Sequence, residues 1–390
     1  MNKAPKFVVI TCCLIDWGGS EELWARSIPL LKNEGVNDIT IYKNKVNLNH
    51  PEFIKLKQQG VKFKEFDAQA PFLKNMVSKI KDTLYRIYDK IGVATYNWNK
   101  PAEKIYNYLK ASPPDLVLIS QGINFDGLVY AYQCFKLNIP YIIVSHKAVD
   151  FYWPMPGDRT YMRETMVNAR KCLFVSDHNK NLTEEQFGVR LKNSGIVINP
   201  VKTGVEPFPF PSIDKGYRLA CVGRIFVIDK GQDVLLRILS QTKWKERDIT
   251  VSFIGEGPDL DGLKEMAILL GLKNVSFAGY MGDLKSIWAN HHALILPSRS
   301  EGLPLTIIEA MSLGRIAIAS NAGGNAEIIQ DQVTGFIGEH YEKEFDRVLE
   351  LAWSKREEWP QMGIKAAEYI KENIPKSPER LFVNILAENF

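Results

Sequence analysis

The chain has 390 residues, 45% apolar and 24% charged, with a formal net charge of +4. That length is too great for one ordinary core and points to two domains, while the composition is that of a globular protein. No apolar run approaches the roughly 20 residues that span a bilayer.

In chain order, strand and helix signals alternate. Met1–Lys6 precedes only nine mostly apolar residues, without a small-residue cleavage site, so Phe7–Leu14 reads as a buried strand rather than a signal peptide. Helix Ser20–Lys32 and strand Asp38–Tyr42 follow. Next come strand Leu116–Ser120, helix Phe125–Lys136, strand Tyr141–Ser145, helix Thr160–Asn168, and strands Cys172–Ser176 and Gly195–Ile198. The strands are apolar without polar alternation, the pattern of a parallel sheet covered on both faces. Asn199–Pro211, rich in proline, reads as a linker. A second series runs Leu219–Val222 (strand), Gly231–Leu239 (helix), Ile249–Ile254 (strand), Asp259–Leu270 (helix), Val275–Ala278 (strand) and Asp283–Asn290 (helix). Strand Leu294–Leu296 and helix Pro304–Leu313 follow, then strand Arg315–Ala319, short helix Asn325–Ile329, strand Gly335–Ile337 and closing helices. The expected architecture is two doubly wound, Rossmann-like α/β domains facing a cleft: 1–200, 201–370, and a last helix in 371–390 that packs back on the first. Ligands should bind at the strand carboxyl ends.

Two segments of the second half carry chemistry. After its first strand, Arg224 and Lys230 bracket a loop closed by Gly231, and two cations near a helix start suit a diphosphate. Further on, Ser300–Arg315 holds Glu301 and Glu309, eight residues apart, around a Gly302-Leu303-Pro304-Leu305 turn. Gly302 lets backbone approach a ligand, Pro304 suits a first helical turn, and Gly314 suits a left-handed stop. The helix start offers N–H groups and a positive dipole end to phosphate. Glu309, expected to be buried in the second turn, calls for a polar partner such as a pair of sugar hydroxyls.

With Phe253-Ile254-Gly255-Glu256-Gly257-Pro258, Pro297-Ser298, Gly323-Gly324 and Glu327, these segments resemble the nucleotide-binding domain of retaining GT-B glycosyltransferases of the family 4, or group 1, type. The resemblance is strongest over 218–338. In the first half it rests on Gly18-Gly19-Ser20-Glu21, Ser145-His146, Phe174-Val175-Ser176 and His178. It implies transfer of a sugar from a nucleoside diphosphate sugar, UDP- or GDP-linked, to a glycan or lipid-linked acceptor. Anomeric configuration would be retained, with no metal and no cofactor besides the donor. Arg224 and Lys230 would neutralise the leaving diphosphate, Glu309 would hold the ribose hydroxyls, and Glu301 would face the donor sugar or its phosphate. Amides of Gly302 to Leu305, with Leu303 and Pro304 between, would cap phosphate oxygens. Gly18 and Gly19 would approach the donor from the opposite wall, and His146 would lie near the reacting carbon. Thr203-Gly204-Val205-Glu206 is a loose match to the family's Asn-Gly-Val-Asp, and the Phe-Ser-Trp start of the last segment is missing.

Other signals fit less specific roles. Lys43 to Lys110 holds 14 Lys/Arg against 6 Asp/Glu, with apolar residues at helical spacing from Leu73 to Ile91. This is either a solvated helix face or a contact for an anionic membrane or acceptor. Trp17 and Phe151-Tyr152-Trp153 could stack on an acceptor or pack as a lid. His291-His292 read as structural, and Asp259-Leu260-Asp261 resembles a metal-binding DxD only superficially, since it opens a helix. The five cysteines form no C-x-x-C pair and read as reduced thiols of a cytoplasmic protein, or one peripheral at the inner membrane face. Bacterial polysaccharide biosynthesis is the setting the family implies, and no nucleic-acid partner is expected. The competing functions are a GT-B nucleotide-sugar epimerase and a nucleotide-sugar-binding protein without turnover.

Overall fold

The computed structural model describes residues 4–13, 15–66, 94–201 and 206–390. The chain divides into two compact α/β units, Met1–Pro200 with Ser377–Phe390, and Val201–Lys376. In the first, β1 (Lys6–Thr11), β2 (Asp38–Lys43), β3 (Lys62–Glu65), β4 (Leu116–Gln121), β5 (Tyr141–Ser145), β6 (Lys171–Phe174) and β7 (Ser194–Ile196) form a parallel sheet ordered β3-β2-β1-β4-β5-β6-β7. Val9 of β1 pairs with Ile41 on one side and Leu118 on the other. The order reverses between β1 and β4, which opens a crevice at their carboxyl ends.

The helix Gly19–Asn33 buries Leu23, Trp24, Ile28 and Leu31 against this sheet. The last helix, Pro378–Ala387, adds Phe382, Val383 and Leu386 to the same core. Arg380 pairs with Glu34, and Phe390 packs on Phe7. The helix expected from Phe125 begins at Leu128, because Phe125 and Gly127 both have positive φ, 73° and 74°. Three described helices were not among the expected elements, and each has a cap: His50 for Pro51–Gln58, Asn99 for Lys100–Ala111 and Ser176 for Asp177–Phe187.

The second unit holds β8 (Tyr217–Val222), β9 (Ile249–Ile254), β10 (Val275–Gly279), β11 (Ala293–Leu296), β12 (Ile316–Ser320) and β13 (Gly335–Gly338), all parallel and ordered β10-β9-β8-β11-β12-β13. Its reversal lies between β8 and β11. Buried Trp244, Trp288 and Trp359 and the aliphatic strand residues fill its core. The buried Arg315 donates to the carbonyls of Phe208 (3.1 Å), Pro209 (2.8 Å), Trp288 (2.9 Å) and His291 (2.9 Å), and so ties the proline-rich segment to the sheet.

The basic stretch needs correction at its first residue. Lys43 is 1% exposed, and its Nζ donates to the Cys13 carbonyl (2.6 Å) and Glu21 (3.2 Å), so it offers no charge to a membrane. The expected amphipathic run Leu73–Ile91 and the Thr203–Val205 turn lie outside the described residues. Among the described residues no helix is long and apolar enough to cross a membrane.

Candidate active site

In the second unit, two loops at the carboxyl ends of β8 and β11 are joined by backbone. Beyond β8, Ile225 N–H donates to the Glu256 carbonyl (2.9 Å) and Val227 N–H to the Asp259 carboxylate (2.8 Å). From the β11 side, Arg299 and Ser300 N–H donate to the Asp229 carbonyl (2.8 and 3.1 Å). Arg299 also grips Asp233 with both Nη atoms, at 2.7 and 2.9 Å. Such a fork holds geometry better than a point charge would.

This framework brings Lys230 and Glu301 together. Lys230 ends the short helix Val227–Lys230, and its Nζ meets both Glu301 oxygens at 2.7 and 2.8 Å. Ser298 Oγ donates to the same carboxylate at 2.7 Å. Glu301 is buried, with 6% of its side chain exposed, against 22% for Lys230. Arg224 differs from the reading of an equivalent cationic pair: it is exposed, its guanidinium lies 4.9 Å from the Phe226 ring centre, and it makes no ion pair among the described residues. The two cations are thus in distinct states, one held by a carboxylate and one presented to solvent.

Glycines set how close the loops come. At Gly231 (φ +62°) a Cβ would strike the Pro297 carbonyl, and at Gly323 (φ +56°) it would strike the carbonyls of Glu301 and Gly302. Gly324 N–H donates to the Gly302 carbonyl at 2.8 Å. Gly255 and Gly257 stand against the carbonyls of Gly223 and Ile225. They serve loop contact within the unit, not a dinucleotide turn. The helix after Glu301 is Leu305–Ser312, with Pro304 as N-cap (φ −71°, ψ 117°) rather than inside the first turn, because its ψ is extended. Gly314 (φ +78°) ends it as expected. The first turn leaves amide N–H groups without an intrahelical carbonyl. Glu309 projects from the second turn half-buried, a correction to its expected full burial. Gly302, Leu303 and Pro304 are buried and Leu305 half-buried.

In the first unit, Gly18 caps the helix Gly19–Asn33 in extended conformation. Beneath it the fully buried Glu21 accepts from Thr11 Oγ1 (2.6 Å), Ser20 Oγ (2.6 Å) and Lys43. This ion pair fixes the turn, and nothing in the residues around Lys43 signals its burial. His146 follows β5, 8% exposed, with Nε2 3.4 Å from Ser120 Oγ and the Asn199 side chain beside the ring. Burial lowers its pKa to about 4, so the imidazole is neutral. His178 is exposed on its helix. His291 and His292 bond to Ile287, Ser252 and Arg218 and are structural. Trp17 stacks on His50 at 5.7 Å and packs on Phe53, while Phe151, Tyr152 and Trp153 are exposed. Among the described residues no group of three or more His, Cys, Asp and Glu is placed to share a metal ion. Asp259 is occupied as above and Asp261 points to solvent.

Residues 204–374 match the family profile of glycosyl transferases group 1. An uncharacterized glycosyltransferase of Haemophilus influenzae is 26% identical over 68% of this chain and 74% of its own length. A GDP-mannose-dependent alpha-(1-6)-phosphatidylinositol monomannoside mannosyltransferase of Mycobacterium tuberculosis is 27% identical over 59% of this chain. That alignment spans 64% of the mycobacterial protein, just under two thirds. Among solved structures, Anabaena HepE in complex with UDP superposes with a TM-score of 0.72, at 15% identity, over 98% of this chain and 100% of that one. The two parallel-sheet units are those of the GT-B fold.

Proposed function

We propose that this GT-B glycosyltransferase, an enzyme of the EC 2.4 type, moves a sugar from a nucleoside diphosphate sugar to a hydroxyl of a glycan or lipid-linked acceptor. Configuration is retained and no metal ion takes part. The observation that carries this reading is the Lys230–Glu301 pair beside the helix start at Leu305, with the solvent-facing Arg224 on the neighbouring loop. The helix start and Arg224 receive the diphosphate, while Glu309 accepts from the ribose hydroxyls. Lys230, held ready by Glu301, turns part of its charge to the leaving phosphate. In the first unit, Gly18–Gly19 is the open turn, and His146 is the neutral hydrogen-bonding group this reading assigns to the donor sugar. The acceptor hydroxyl bonds to the anomeric carbon on the face from which the phosphate leaves. The C–O bond to phosphate breaks, and the departing phosphate oxygen takes the acceptor proton. Arg224 and Lys230 act on charge that grows in that step, where fixed charges accelerate most.

The two candidate donor bases are uracil and guanine: HepE is in complex with UDP, and the mycobacterial relative is GDP-mannose-dependent. Calorimetric titration of UDP-, GDP- and ADP-sugars in EDTA tests the reading, followed by NMR of the product linkage. Binding of one donor class and a retained anomeric centre are expected. No binding by any donor, or an inverted centre, overturns it.

A further inference from the structure

We propose that Gln232 is a positioning residue of the candidate site. It closes the loop from Arg224 to Lys230 and so fixes where the Arg224 guanidinium meets the leaving diphosphate. The proposal rests on the transferase reading and adds to it a residue that touches no substrate.

Gln232 opens the helix Gln232–Leu239, whose Val234, Leu235, Leu236, Ile238 and Leu239 are all buried in the core of the second unit. Gln232 is itself 1% exposed. Its side chain turns back toward the end of β8, and its Nε2 donates to the Arg224 carbonyl at 2.9 Å. Its Oε1 is equally buried and has no hydrogen-bond partner among the described residues. A buried amide with one end unpaired adds little to stability, because the orphan acceptor offsets most of the bond that is made. An apolar side chain of the same length would serve the core as well. What explains the amide is the group it holds.

That group is the backbone of Arg224. Before it, Gly223 N–H donates to the Ile254 carbonyl at 3.0 Å. After it, Ile225 N–H donates to the Glu256 carbonyl at 2.9 Å, and the Ile225 side chain is fully buried. The Gln232 amide takes the carbonyl between these two anchors. The Arg224 side chain, by contrast, is exposed, lies over the Phe226 ring and makes no ion pair among the described residues. With no carboxylate to aim it, the guanidinium takes its direction from that backbone.

The other end of the anchor is rigid. Gly231, just before Gln232, stands against the Pro297 carbonyl, and Asp233, just after it, is forked by Arg299. Lys230 lies two residues away and is held by Glu301. One buried amide thus ties the exposed cation to the paired one across the mouth of their shared loop. Misplacing a reacting or stabilising group by about 1 Å can lower a rate about a hundredfold. A bound diphosphate asks less, because the helix start and Lys230 also hold it and a displaced arginine can still reach it. Loss of Gln232 should therefore act on turnover more than on nucleotide affinity.

The test uses the full chain with Gln232→Met and Gln232→Leu, each alone and combined with Arg224→Ala. Release of nucleoside diphosphate from UDP-glucose and GDP-mannose gives kcat, and calorimetry gives the Kd of UDP and GDP. On the donor that the wild type uses, Gln232→Met should lower kcat by about tenfold or more, with nucleotide Kd changed by less than about threefold. Its unfolding midpoint should stay within about 4 °C of wild type. Combined with Arg224→Ala, the same change should lower kcat by less than about twofold further, because Gln232 acts through Arg224. Gln232→Leu should follow the same pattern. The proposal falls if both Gln232 changes leave kcat within about twofold of wild type, or if their loss multiplies that of Arg224→Ala. It also falls if nucleotide affinity drops as far as kcat, or if both variants unfold well below the stated range, which would make Gln232 a core residue. Failure of the transferase reading looks different: the wild-type chain would bind neither nucleotide and release none from either donor, and the proposal would fall with it.

Discussion

Replacing Lys230 by Met separates what the Lys230–Glu301 pair does for stability from what it does for the donor. Glu301 has 6% of its side chain exposed and keeps, without Lys230, only the bond from Ser298 Oγ. A buried charge that loses its partner costs about 3 kcal/mol. Glu301→Gln is milder, because Lys230 is 22% exposed and can turn to water; a cost of about 1 kcal/mol follows. In the double variant both groups are neutral, so the cost should be near 1–2 kcal/mol rather than the sum, a coupling of roughly 2–3 kcal/mol. For a unit of this size each kcal/mol moves the midpoint by about 2–4 °C, so Lys230→Met should lower the unfolding midpoint of the second unit by roughly 6–12 °C and the double variant by about one third to two thirds of that. Donor affinity should behave differently. Both Lys230→Met and the double variant should lose on the order of tenfold to a hundredfold in nucleotide binding, since neither has the cation. Calorimetric unfolding with and without UDP or GDP reads both quantities. Additive destabilisation, or a double variant that binds nucleotide like wild type, would refute the reasoning.

Arg224→Ala should leave the unfolding midpoint within about 2 °C, because the side chain is exposed and unpaired among the described residues. It should lower turnover by about 2–4 kcal/mol in the transition state, and turnover within about twofold of wild type would remove it from the site. Glu309→Ala should weaken nucleotide binding more than Glu309→Gln, which keeps an acceptor for a ribose hydroxyl; unchanged binding in Glu309→Ala would end that role. Burial lowers both His146 and His292 to about 4 from 6.5, so below pH 6.5 the unfolded chain takes up protons the folded one refuses. Stability is therefore full above pH 6.5 and falls toward pH 4, by on the order of 2 kcal/mol per histidine at pH 5. Asp126, raised to about 6 from 3.8, offsets part of this below pH 6. A flat melting temperature from pH 7 to 5 would contradict the burial argument.

The parallel sheets were the most legible part of the fold, since their strands are uninterrupted apolar runs. Tyr141–Ser145 and Ile249–Ile254 have the same bounds in sequence and structure. Lys62–Glu65 escaped because an edge strand reading Lys-Phe-Lys-Glu buries almost nothing. In the candidate site, Arg224, Lys230, Glu301 and Glu309 stand out as charges in otherwise apolar or glycine-rich segments. What the sequence did not reveal is who pairs with whom. Ser298 and Gly323-Gly324 were visible as motif residues with no task, and only the fold shows one donating to Glu301 and the other admitting its carbonyl.

That difference has a physical cause. A strand or helix is decided by residues a few positions apart, so its period is written locally. Lys230 and Glu301 are 71 positions apart, and Gly323 meets Glu301 from beyond the next strand. These contacts exist because β8, β11 and β12 end side by side at one edge of the sheet. Gly231 shows the same dependence: its left-handed φ alone would permit asparagine, but the Pro297 carbonyl against its Cα admits no side chain at all. The site's charges are therefore a property of the sequence, while their pairing follows from strand order. A change at Gly231 or Gly323 should disturb the Glu301 loop without touching a single charged residue.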